Sequence, residues 1–113
     1  SKNAARAHKT HLRLKAGEVF RLEDLLKAML IVSANDACLA AVEHVGGDEG
    51  QLVMLMNAKA AALGLADTHF SNACGFDASD HYSTAEDLAK LSEVALQHPV
   101  FRELVREERG IIT

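Results

Sequence analysis

The stretch IVSANDACLAAVEHVGG, Ile31 to Gly47, interrupts apolar, helix-forming sequence with Ser33, Ala34 and Asn35. Upstream of the break, Leu22, Leu25, Leu26, Met29 and Leu30 recur at i, i+3 and i+4, the stripe of a helix that buries one face. Ile31 and Val32 widen that surface, so a helix is expected from Leu22 to Val32, buried on most sides. Downstream, Leu39, Ala40 and Val42 predict a second buried helix from about Asp36 to Val45, ended by Gly46-Gly47. The break is therefore a tight turn between two buried helices. Ser33 and Asn35 are favoured capping residues, and Ser33 with Asp36 resembles a capping pair for the second helix.

Further helices are expected from about Glu49 to Leu63, on Leu52, Leu55, Met56, Ala60 and Leu63, and from Ser83 to about Gln97, on Leu88, Leu91, Val94 and Ala95. Ser83-Thr84-Ala85-Glu86 reads as a capping box at the start of the latter. Pro99 suits the first turn of a short last helix through Arg106. Residues 1–18 read as a loop or arm ending in a turn at KAGEVF, residues 71–81 as an irregular loop, and RGIIT as the start of a strand. The fold class is all-α, one helical domain or subdomain of about four to five helices. With 4% aromatic residues and no Trp, its core falls to Leu, Ala, Val and Met.

The net charge of −4 is interleaved along the chain with no basic face, which argues against nucleic acid as a partner. No apolar run approaches the roughly 20 residues of a membrane-spanning helix, and SKNAARAHKT has no signal-peptide h-region. His8 and His11 are three apart, but no ligand set completes a tetrahedral site around them; His44, His69, His81 and His98 stand singly. No metal and no cofactor are expected. Cys38 and Cys74 do not form a CxxC pair or a disulfide framework; they could be joined or remain thiols. There is no G-x-S-x-G elbow and no phosphate-binding loop.

The remaining candidate is the turn itself. A hydroxyl and a carboxamide between two buried helices are pre-organised; the one can pass a proton, the other can donate and accept hydrogen bonds. These are supporting roles in acyl transfer, serving a nucleophile from elsewhere.

Three segments resemble the serine D-alanyl-D-alanine carboxypeptidases, the low-molecular-weight penicillin-binding proteins. SKNAAR is similar to the segment leading out of that family's first active-site region. LKAGEVFRLEDLLKAMLIVSANDACLAAVEHVGG is similar to the stretch with its S-x-N motif. MNAKAAALGLADTHFSNACGFDASDHYSTAEDLAKL is similar to its next helix, its Gly-Leu-Asp loop and its Ser-Thr-capped helix. The resemblance implies catalytic roles for Ser33, relaying a proton to the leaving amine, and for Asn35, binding the substrate peptide group and orienting a lysine. It implies that Cys74, Gly75, Phe76 and Asp77 border the cleft. Cys74 by itself, if not joined to Cys38, reads as a packed or free thiol and not an activated one. It further implies peptidoglycan stem peptides and β-lactams as ligands of the intact enzyme, in the periplasm or on the outer face of the cytoplasmic membrane.

The family also uses S-x-x-K and K-T-G, and neither occurs here: Ser1, Ser33, Ser71, Ser79, Ser83 and Ser92 all lack Lys at +3. The chain therefore resembles the helical middle of such an enzyme without its flanking α/β part, and is expected to be inactive alone. Loss of the S-x-x-K helix is expected to expose apolar surface and favour self-association. The competing expectations are a non-catalytic helical interaction module, in which Ser33 and Asn35 only cap, and a fragment of a β-lactamase-type serine enzyme.

Overall fold

Leu22–Val32 forms a helix with the expected bounds, and its apolar stripe docks on a second helix, Asn35–Gly46, across the Ser33-Ala34 break. The computed structural model describes residues 1–7 and 11–110. Its elements are α1 (Lys2–Ala5), α2 (Leu22–Val32), α3 (Asn35–Gly46), α4 (Glu49–Ala62), α5 (Ala85–Ala95) and α6 (Pro99–Arg106). Among the described residues there is no β-strand, only an isolated antiparallel bridge between His69 and Tyr82. The all-α expectation holds, and α1 adds a helix to the four or five expected. It is one turn long, opened by Ser1, whose Oγ accepts the Ala4 N–H at 3.0 Å, and it lies within the segment read as an arm. The strand expected at RGIIT extends into residues 111–113, outside the described residues.

The core is built from small side chains. Leu25 and Ala28 of α2 meet Ala34, Ala37 and Ala41, with Leu14, Phe20, Leu22, Met29 and Ala40 packed around them. Alanine faces let α2 and α3 approach closely, which suits a chain with few aromatics. α3 also packs on α1 and α4, and α2 on α6. The reading of α2 as buried on most sides is corrected: Leu30 is 41% and Val32 47% exposed, because nothing among the described residues covers the outer side of its last turn. Met54 and Leu55 of α4 and Leu88 of α5 are exposed as well. Gly46 closes α3 where α4 comes nearest; a Cβ there would lie 2.7 Å from Leu52 Cβ and 3.1 Å from Leu52 Cα.

Polar clamps and one covalent link hold the irregular segments. Asp24, fully buried, receives Arg21 through Nε at 3.3 Å and Nη2 at 3.4 Å. That hydrogen bond, and then the charge of Asp24, raises the Arg21 guanidinium above its ordinary value. Asp87, buried at the start of α5, accepts the Asp67 N–H at 3.0 Å and the Thr68 hydroxyl at 2.7 Å. α5 is capped by Thr84, whose Oγ1 accepts the Asp87 N–H at 3.1 Å. The N-cap is thus Thr84 and not the expected Ser83, whose Oγ instead pairs with Thr68 Oγ1 at 2.8 Å. Cys38 and Cys74 form a disulfide between α3 and the 71–80 loop, with Cα atoms 6.1 Å apart. Of the two alternatives open from the sequence, joined or thiol, the joined one holds, and Cys74 is neither a packed nor a free thiol.

Two outcomes test this packing. Gly46→Ala must push α3 from α4, at a cost of about 1–3 kcal/mol; urea denaturation should show a lower midpoint. Gly50→Ala, where the nearest contact is Asp48 Oδ1 at 3.4 Å, should show no loss. Reducing the disulfide releases a 36-residue separation and should cost about 2–4 kcal/mol. A midpoint unchanged by a strong dithiol would contradict the link.

Candidate active site

α2 ends because Ser33 adopts the left-handed conformation, φ 57° and ψ 36°. Its N–H and that of Ala34 both donate to the Ala28 carbonyl, the latter at 3.1 Å, so the last turn of α2 is closed by two bonds to one acceptor. Ala34 returns to extended backbone and starts α3, its carbonyl accepting the Cys38 N–H at 3.0 Å. The reading of Ser33 as a cap for the second helix is thus corrected. Ser33 is the C-cap of α2, Ala34 is the N-cap of α3, and no side chain caps there. Ala34 is 0% exposed within the core, so the middle position of the turn has room for a methyl group and little more.

This geometry separates the two candidate residues from the core without detaching them from it. Ser33 is exposed, and Asn35 is half-buried in the first turn of α3, two residues along. The structure thus brings the hydroxyl and the carboxamide onto one turn whose backbone is fixed on both sides by helix. A side chain in the left-handed region is uncommon outside Gly, Asn and Asp. Strain of this kind is kept where surrounding structure enforces it, commonly at functional sites.

The sequence reading missed Asp36 as more than a capping partner. Asp36 is 1% exposed, and its carboxylate lies against backbone from much earlier in the chain. Oδ1 accepts the N–H of Leu12 at 3.0 Å and of Ala37 at 2.9 Å; Oδ2 accepts Leu14 N–H at 2.9 Å and shares that of Leu12 at 3.1 Å. An acidic residue directly after S-x-N was visible, but its partners more than twenty residues upstream were not.

One turn beyond Asn35, Cys38 carries the disulfide that holds Cys74 and its loop on α3. Asn72 shapes that loop: its Oδ1 accepts the N–H groups of Gly75 at 2.9 Å and Phe76 at 3.0 Å, and its Nδ2 donates to the Phe76 carbonyl at 2.7 Å. Gly75 has φ 82°, which a side chain would resist. Ala73 N–H donates to Glu49 Oε2 at 3.2 Å, and Asn57 exchanges two bonds of 2.8 Å with the Phe70 backbone just before the loop. Phe76 is half-buried and Asp77 exposed.

His8 lies outside the described residues, and His11 uses Nδ1 to accept the Arg13 N–H at 3.1 Å. Among the described residues no group of three His, Cys, Asp or Glu is arranged to hold a metal ion, and no helix is long and apolar enough to cross a membrane. A groove of about 260 Å³ runs between α1, residues 14–20 and α3, lined by Leu14, Phe20, Leu25 and His44 among others. Neither Ser33 nor Asn35 lines it.

A family model described as D-alanyl-D-alanine carboxypeptidase matches residues 1–109. The chain is 37% identical over 98 residues to the D-alanyl-D-alanine carboxypeptidase DacF of Bacillus subtilis, covering 87% of this chain and 25% of that protein. It is 42% identical over 87 residues to DacC of Escherichia coli, covering 77% of this chain and 22% of that protein. The crystal structure of the D-alanyl-D-alanine carboxypeptidase DacD from Francisella tularensis superposes with a TM-score of 0.90 at 33% identity, over 95% of this chain and 26% of that one. Penicillin binding protein 6B from Escherichia coli gives 0.85 at 34% identity, over 95% of this chain and 35% of that one. The chain thus spans about a quarter of the length of the curated relatives it matches. Its helical hairpin, turn and cross-linked loop follow part of a known enzyme fold, and the chain belongs to the D-alanyl-D-alanine carboxypeptidase family.

Proposed function

We propose that this segment supplies the Ser33–Asn35 side of a serine acyl-transfer site that removes terminal D-alanine from peptidoglycan stem peptides. The observation that carries the reading is the exposed Ser33 hydroxyl, held in the left-handed conformation between two packed helices. A hydroxyl fixed in that way can hand a proton to the amine that departs when the D-Ala-D-Ala peptide bond breaks. The Asn35 carboxamide can accept from and donate to the substrate's peptide group, and can orient a neighbouring ammonium. The nucleophile and its lysine base come from residues outside these 113, since the sequence contains no S-x-x-K. The loop with Cys74, Gly75, Phe76 and Asp77 borders the cleft and is kept in place by the disulfide. β-Lactams bind the same intact site, and the setting is the periplasm or the outer face of the cytoplasmic membrane.

In the intact enzyme, Ser33→Ala should lower the rate of D-alanine release about 10²-fold or more, read by release from a D-Ala-D-Ala peptide. The 113-residue chain alone should form no covalent adduct with a fluorescent penicillin. A labelled band on a denaturing gel would contradict the assignment of supporting roles to its serines.

The exposed Leu30, Val32, Met54 and Leu55 support a second expectation, that the isolated chain self-associates. Sedimentation velocity should show a mass that rises with concentration, and Leu30→Lys should reduce it. A strict monomer at high concentration would contradict this.

A further inference from the structure

Among the described residues two non-glycine positions have positive φ: Arg13 at 59° and Ser33 at 57°. Asp36 connects them. It follows the Ser33–Asn35 turn directly, and its carboxylate accepts the amides of Leu12 and Leu14, the residues on either side of Arg13. Successive amides in a turn conformation converge on a common point and make a concave anion site. Here the anion is a side chain of the protein itself. The carboxylate also takes the Ala37 N–H in the first turn of α3, where a negative charge suits the helix dipole. At 1% exposed, and with no salt bridge to a cation among the described residues, the charge is held by backbone amides.

The other two buried carboxylates do different work. Asp24 pairs with Arg21 at the start of α2, and Asp87 ties residues 67 and 68 to α5. Asp36, by contrast, joins residues 12–14, distant in sequence, to the turn that carries Ser33 and Asn35. Because Ala34 N–H is bonded to Ala28 and Ala34 is fully buried, movement at the first turn of α3 is passed straight into the turn.

We infer that Asp36 is a positioning residue for the acyl-transfer site: it fixes the Ser33–Asn35 turn against residues 12–14 and touches no substrate. The inference rests on the function proposed above for that turn. Arg13 holds a conformation that non-glycine residues avoid, because doing so turns two amides onto Asp36.

The test compares Asp36→Asn with Asp87→Asn in the 113-residue chain, by amide hydrogen exchange. Asparagine keeps the shape but replaces one acceptor oxygen with a donor, so one amide of the 12–14 segment loses its partner. Exchange at Leu14 and Ala34 should rise about tenfold or more in Asp36→Asn beyond any change seen in Asp87→Asn. Equal rates at Ala34 in the two variants would reduce Asp36 to a general stabilising contact and overturn the inference. Arg13→Gly keeps the carboxylate and is at ease with positive φ, so Ala34 exchange should stay at or below the wild-type rate. Faster exchange in Arg13→Gly would also overturn it.

In the intact enzyme, Asp36→Asn should lower kcat for D-alanine release about tenfold with a smaller change in KM, while Asp87→Asn leaves both near wild type. Normal kcat in Asp36→Asn would sink the positioning role and leave the proposed reaction standing. A wild-type enzyme that releases no D-alanine, combined with faster Ala34 exchange in Asp36→Asn, would sink the proposed reaction and leave the clamp.

Discussion

The carbonyl of Ala28 accepts two amides, those of Ser33 and Ala34, and the geometry of the whole hairpin depends on that shared acceptor. It stops α2 without a long connection, forces one residue into the left-handed region, and returns the chain as α3 against the face it has just left. The alanines at 28, 34, 37 and 41 allow the two helices to come close enough for so short a turn. Larger side chains at these positions would separate the helices, and the turn would need more residues to span them. The exposed Ser33 and half-buried Asn35 are consequences of this packing.

A core of small side chains buries limited apolar area, and a chain of this length has little to spare. The molecule makes up the difference with local devices whose partners are far apart in sequence. Asp36 holds residues 12–14, Asp87 holds residues 67 and 68, Asn57 holds Phe70, and Cys38 holds Cys74. Each buried carboxylate meets backbone amides or a charged partner, as burial of a charge demands. Two of these four devices, Asp36 and Cys38, anchor outlying segments directly to α3, so the turn is steadied from the N-terminal arm and from the 71–80 loop.

Periodicity made the helices legible. α2 and α6 have the bounds read from the apolar stripe and from Pro99, and α3, α4 and α5 differ by a residue or two at their ends. Three features were not legible, each for a physical reason. Serine favours helix starts, which predicts Ser33 as a cap for α3; its left-handed backbone goes instead with the two amides closing on the Ala28 carbonyl, which residue type does not reveal. Capping moved from Ser83 to Thr84 because Thr68, fifteen residues earlier, claims the Ser83 hydroxyl. The disulfide depends on α3 and the 71–80 loop meeting in space, which two isolated cysteines do not reveal. The S-x-N pattern itself was plain in the sequence, whereas the Asp36 clamp that supports it needed the position of Leu12 and Leu14.

The central claim is that the Ser33 turn is built into this segment by its own two helices. The intraresidue contact between the amide and α protons of Ser33 in the NMR spectrum of the 113-residue chain tests it most directly, because positive φ brings those protons together. The account predicts a strong cross-peak, well above those of the flanking helical residues Ile31 and Asp36. A weak cross-peak of right-handed or extended backbone would mean that the turn does not form from these residues, and would contradict it.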